Sequence, residues 1–121
     1  MNFTDTHTHL YDEAYPSVTE QDIIIERAIS NGVVKMVVPD NSSKERRTMF
    51  DICERWPENT RPCIGIHPEE VDDKWKDEVE TMWREIESHP SVCAIGETGM
   101  DLHWSREKIV EQEEVFRAHI E

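Results

Sequence analysis

The sequence lacks any apolar run approaching the ~20 residues of a membrane helix, and it does not start with the basic, apolar and small-residue sections of a secretory signal. From these absences we expect a cytoplasmic protein with no membrane partner. Basic residues are also scarce, with 13 Lys and Arg against 27 Asp and Glu and a formal net charge of -14. Such a surface argues against a broad electrostatic grip on nucleic acid, so any phosphate contact must be local. Cys53, Cys63 and Cys93 never fall at CxxC spacing, which suggests neither a disulfide framework nor a cysteine zinc site and leaves reduced, mostly buried thiols. No low-complexity linker or shift in composition divides the chain. Its 121 residues suit one unit, residues 1–121, with a modest core.

What is present is one rhythm, strand then helix, repeated four times. "NFTDTH" reads as the first strand. "SVTEQDIIIERAISNG" opens with Ser17 and Glu20 at capping-box spacing and closes on Gly32, suited to the left-handed position after a helix. "VVKMVVP" is the β-branched run of a strand covered on both faces. In "NSSKERRTMFDICERWP", Ser42 and Glu45 repeat the capping spacing, Met49, Ile52, Cys53 and Trp56 make an apolar stripe, and Pro57 ends the helix. "RPCIGI" is a third strand. It leads to a helix in which Trp75, Val79, Met82, Trp83 and Ile86 recur at three- and four-residue steps, a packing face rather than a binding box. "SVCAIGE", the turn "TGMD" and a helix from about Ser105 complete the series. Alternation of this kind predicts right-handed βαβ crossovers and a parallel α/β sheet.

The polar residues gather at one end of that sheet. On an extended strand Asp5, His7 and His9 share a face, because side chains alternate. The row reads either as a solvent-facing sheet edge or as a metal site, and the second is favoured because neutral imidazole is the commonest metal ligand. His67 follows the third strand and Glu97 the fourth, so both fall with His7 and His9 at the C-terminal edge, where loops of parallel folds carry ligands and catalysis. His89, before Pro90 at a helix end, reads as serving the last carbonyls. His119 has no motif behind it.

"DTHTHL" at 5–10, "GIHP" at 65–68, "AIGETGMDLH" at 94–103, and Gln112 with Phe116 together resemble the N-terminal half of the TatD-family metal-dependent hydrolases, in the amidohydrolase superfamily. The resemblance implies a parallel (β/α)4 half of a TIM-type (β/α)8 barrel, whose C-terminal face binds one or two divalent ions (Mg, Mn or Zn) and hydrolyses phosphodiester bonds, typically in DNA. It implies His7 and His9 as metal ligands and Glu97 as both ligand and catalytic group. Asp5 is expected to orient a ligating histidine through its other ring nitrogen, with direct ligation as the second choice. His67 resembles a position at the mouth of the site that could touch substrate phosphate. Asp101 and His103 are expected on the substrate side.

A complete barrel takes about 250 residues, and four of its eight units are recognisable here. The resemblance places two further histidines and an aspartate in the other half, so we expect these residues alone to bind metal and catalyse little. The first and fourth strands would be unpaired edges, which predicts a homo-oligomer. The alternative to an enzyme is therefore a non-catalytic, self-associating half-barrel that holds a structural metal.

Overall fold

A computed structural model describes residues 1–121. Its strands are β1 (Phe3–Asp5), β2 (Val33–Pro39), β3 (Thr60–Ile64) and β4 (Ala94–Ile95), and its helices are α1 (Val18–Ser30), α2 (Ser43–Arg55), α3 (Trp75–Ser88) and α4 (Ile109–Ile120). All neighbouring strands pair in parallel in the order β1-β2-β3-β4, giving a curled half-barrel with β1 and β4 at its edges. Both edges are open to solvent, with Phe3 51% and Ile95 39% exposed.

The helix signals act as local chemistry requires. The Ser17 hydroxyl accepts from the Glu20 N–H while the Glu20 carboxylate accepts from the Ser17 N–H, which satisfies two orphan donors of α1. Gly32 follows with φ +90°, a conformation costly for any other residue. In α2 the reciprocal box does not form. Ser42 caps through the Lys44 N–H and gives its own proton to Glu45.

Three expected strands and the last helix are longer in the sequence reading than in the molecule, and side chains explain most of the difference. β1 ends at Asp5 because the Asp5 carboxylate accepts the His7 N–H, although Thr8 still donates to the Val37 carbonyl. β3 stops at Ile64, since the Gly65 N–H goes to Asp40 and the Ile66 N–H to His119 instead of a ladder partner. At the start of α4, Ser105 accepts from the Glu107 N–H and holds a separate turn, so the helix begins at Ile109.

The core lies between the sheet and its helices. Ile25, Val38, Met49, Ile52, Ile64, Ile66 and Met82 are its best-buried members, and Trp56, Trp75, Trp83 and Ile86 pack against the cluster. Burial of each large aliphatic side chain contributes about 1.5–3 kcal/mol before entropy is counted. The tryptophans of α3 are thus packing residues. Cys53 and Cys63 are buried thiols, pushed up to about 11 and about 12 by that burial, and Cys93 is exposed. No helix is long and apolar enough to cross a membrane.

Candidate metal centre

Beyond β1 the chain delivers His7 and His9 to the C-terminal edge of the sheet, where Glu97 arrives from the end of β4. His7 Nε2 lies 2.7 Å from Glu97 Oε1 and 3.1 Å from His9 Nε2, and His9 Nε2 is 2.8 Å from the same carboxylate oxygen. Two imidazole nitrogens this close cannot both present lone pairs unless a proton or a cation stands between them. Ligand atoms bound to one ion at about 2.0–2.2 Å must lie within roughly 4 Å of each other. These three satisfy that limit, and two neutral imidazoles with one carboxylate are a donor set that several divalent ions accept.

Tyr11, which sequence reasoning passed over, sets the tautomer of His9. Its hydroxyl donates to the Pro39 carbonyl at 2.6 Å, so the same oxygen accepts from His9 Nδ1–H at 2.7 Å. That leaves the lone pair of His9 on Nε2, the atom inside the cluster. Burial, reinforced by Asp40 and Glu45, pushes the Tyr11 phenol far above its ordinary value and keeps it a donor. Tyr11→Phe preserves the ring and deletes this hydrogen bond, and the expected result is a 10- to 100-fold (order-of-magnitude) loss of divalent-ion affinity with the fold retained. Ion titration by calorimetry checks it; unchanged affinity would remove Tyr11 from the site.

Asp5 acts differently from the expectation: it holds the His7 main chain at 3.0 Å, not an imidazole nitrogen. His67 joins the cluster. Its Nδ1 accepts the Glu69 N–H at 3.1 Å, so the neutral ring carries its proton on Nε2, 3.5 Å from Glu97 Oε2. His67 is therefore a proton-bearing donor facing the carboxylate. Asp101 and His103 make no hydrogen bond to these groups. Gln112 pins the main chain of Asp101 from both sides, at 2.9 and 3.0 Å, the Asp101 carboxylate accepts the His103 N–H, and the His103 ring meets Trp104 edge-on.

Glu97 is placed by close backbone packing. A Cβ on Gly65 would meet Gly96 C and O at 2.5 Å and Glu97 O at 2.8 Å. Gly65 is held by the buried pair of Asp40 and Arg46: Asp40 Oδ1 accepts its N–H at 2.8 Å, and Arg46 Nη2 donates to its carbonyl at 2.9 Å. Arg46 Nε donates to Asp40 Oδ2 at 2.6 Å, with the side chains 2% and 0% exposed. Burial pushes the Asp40 carboxyl up to about 7, against the pull of Arg46 and the Gly65 N–H. Gly65→Ala should therefore move the Glu97 backbone, costing about 1–3 kcal/mol and abolishing any rise in melting temperature on adding a divalent ion. A variant that keeps the full rise would contradict this.

His119 was also missed. It accepts the Ile66 N–H on Nε2 at 3.1 Å and donates from Nδ1 to the Val115 carbonyl at 2.7 Å, so it anchors α4 to the residue before His67. Burial holds its pKa below the usual histidine value. His89 serves the Glu85 carbonyl near the end of α3 and stacks on Phe50.

Comparison with known proteins gives the chain its family and its fold. The family model described as TatD related DNase matches residues 4–121. The metal-dependent hydrolase YabD of Bacillus subtilis is 33% identical over 116 residues, covering 96% of this chain and 44% of its own length. The 3'-5' ssDNA/RNA exonuclease TatD of Musicola paradisiaca is 32% identical over 102 residues, covering 84% and 38%. Among solved structures, the TatD homolog YjjV of Escherichia coli superposes with a TM-score of 0.85 at 24% identity, over 98% of this chain and 45% of that one. At that identity the likeness shows the fold. The chain spans less than half the length of these relatives.

Proposed function

This chain belongs to the TatD-related DNase family, and we propose that it bears the ligands of a divalent-metal-dependent hydrolase that cleaves phosphodiester bonds in DNA. The observation that carries the reading is the convergence of His7 Nε2, His9 Nε2 and Glu97 Oε1 within hydrogen-bond distance of one another. Two imidazoles and one carboxylate would hold a divalent ion such as Mg, Mn or Zn, and the names of the relatives support metal dependence. When bound there, such an ion lowers the pKa of a coordinated water, polarises the phosphate and offsets developing negative charge.

The chain's own residues divide the remaining work. Glu97 uses Oε1 in the cluster, and its Oε2 faces His67 Nε2 at 3.5 Å. His67, with Nδ1 occupied by the Glu69 N–H, presents an Nε2–H donor that can hold a phosphate oxygen. Asp5 and Tyr11 restrict the main chain of His7 and the ring of His9, so the ligands need little reorganisation. Relatives named as ssDNA/RNA exonucleases support single-stranded nucleic acid as the substrate class. Three free cysteines accord with work in a reducing compartment, the cytoplasm.

The exposed Phe3 and Ile95 on the two sheet edges favour a second reading, a self-associating half-barrel in which the same cluster holds a structural ion. The two separate in one experiment. The protein is stripped with a chelator, then given Mg, Mn or Zn and a single-stranded oligonucleotide while its melting temperature is followed. Ion-dependent release of nucleotides supports the hydrolase. Ion-dependent stabilisation with no cleavage by the full-length protein rejects it in favour of the second reading.

A further inference from the structure

A cleft of about 180 Å³ opens between the turn after β3 and the start of α4, walled by Pro68, Val71, Asp101, Trp104, Ser105 and Lys108. We propose that it is a nucleobase subsite, in which one base of a single strand stacks on Trp104 while the adjoining phosphate is taken at the His7, His9 and Glu97 cluster. The proposal rests on the hydrolase reading above and adds to it how the substrate's base is held.

Three observations carry it. The first is position: Pro68 directly follows His67, and Asp101 stands four residues after Glu97, so two walls continue the loops that carry the site. Every wall comes from the third and fourth strand-helix units of this chain. The second is the indole itself. Trp56, Trp75 and Trp83 pack on the core, whereas Trp104 is 77% exposed with its ring braced edge-on by His103 at 4.6 Å. A braced aromatic face in water, on the loop that runs on from Glu97, is the kind of stacking platform that proteins use for single-stranded nucleic acid.

The third is charge, which selects base over phosphate. Glu69 and Asp101 line the cleft, and carboxylates only accept hydrogen bonds. Lys108 is already tied to Asp73 and lies 3.8 Å from Glu111, so it offers little free positive charge. Phosphate is repelled from such a rim. A base that presents amino hydrogens, as adenine, cytosine and guanine do, is accepted.

The test measures, on the full-length protein loaded with Mn, the affinity for deoxyadenosine monophosphate and for 2-deoxyribose 5-phosphate, which has the same phosphate and no base. The nucleotide is expected to bind more tightly. Trp104→Ala should weaken nucleotide binding roughly 5- to 100-fold and leave the sugar phosphate unchanged, while Trp104→Phe retains most of the difference. Because Trp104 is exposed, the variants should melt with the wild type. Equal affinities for the two ligands in the wild type, or no effect of Trp104→Ala, would overturn the subsite and leave the hydrolase reading standing. Failure of both ligands to bind in the presence of the ion would overturn both.

Discussion

Under the proposed hydrolase reading, Glu97→Ala in the full-length protein is expected to abolish ion-dependent hydrolysis, by about three orders of magnitude or more, and to erase the ion's effect on melting temperature. The carboxylate is the only formal negative charge in the cluster, and its Oε1 stands within 2.8 Å of both imidazoles. Removing it leaves two neutral nitrogens to hold a divalent ion. Loss of several kcal/mol of transition-state stabilisation accounts for a rate effect of that size. His7→Ala and His9→Ala should each fall nearly as far. The pair together should fall no further than the worse single variant, because groups that act as a unit are not additive. Glu97→Gln separates charge from shape: it keeps the size of the side chain and should lose ion binding almost as completely. An alanine variant at 97 that still binds the ion with wild-type affinity would place the centre elsewhere.

The end of β2 links the parts of this site. Pro39 accepts from Tyr11 and so reaches His9, while Asp40 holds Gly65 and so reaches Glu97. Two adjacent residues thus position ligands from the first and fourth strands. Little of this was legible in the sequence, because the partners lie far apart along the chain: Tyr11 and Pro39 are separated by 28 residues and Ile66 and His119 by 53. What was legible was local. The Ser17–Glu20 box, the stripe of Met49, Ile52 and Cys53, and the tryptophans of α3 follow from spacing alone, and with them the alternation that makes a parallel sheet. The ends of β1 and β3 were not, since each is decided by a side chain that takes a main-chain N–H. The spacing of Asp5, His7 and His9 also continues to Tyr11, which was the available signal for the residue that orients His9. The strand itself stops at Asp5, so the shared face comes from the convergence of a loop and not from pleating.

Arg46→Met should be the most damaging substitution for the fold, at about 3–5 kcal/mol, because it leaves Asp40 fully buried without its cation. The loss should also depend on pH in a stated direction. Even with Arg46 present, burial raises the Asp40 carboxyl from 3.8 to about 7, and removing the guanidinium raises it further. A carboxyl whose folded pKa lies above its unfolded value holds its proton more tightly in the folded state. Its folded form is therefore favoured below the unfolded pKa, and that advantage is lost as pH rises through the window from 3.8 to beyond about 7. Denaturant unfolding of Arg46→Met should accordingly show the smallest deficit near about pH 5 and a larger one near about pH 8. Asp40→Asn combined with Arg46→Met should recover much of the stability, since the amide oxygen can still accept the Gly65 N–H and no charge is buried. A deficit under about 1 kcal/mol, flat across pH, would show that the pair does not hold Gly65. The same pair anchors the backbone on which Glu97 rests, so ion affinity in Arg46→Met should fall along with stability and be partly restored in the double variant.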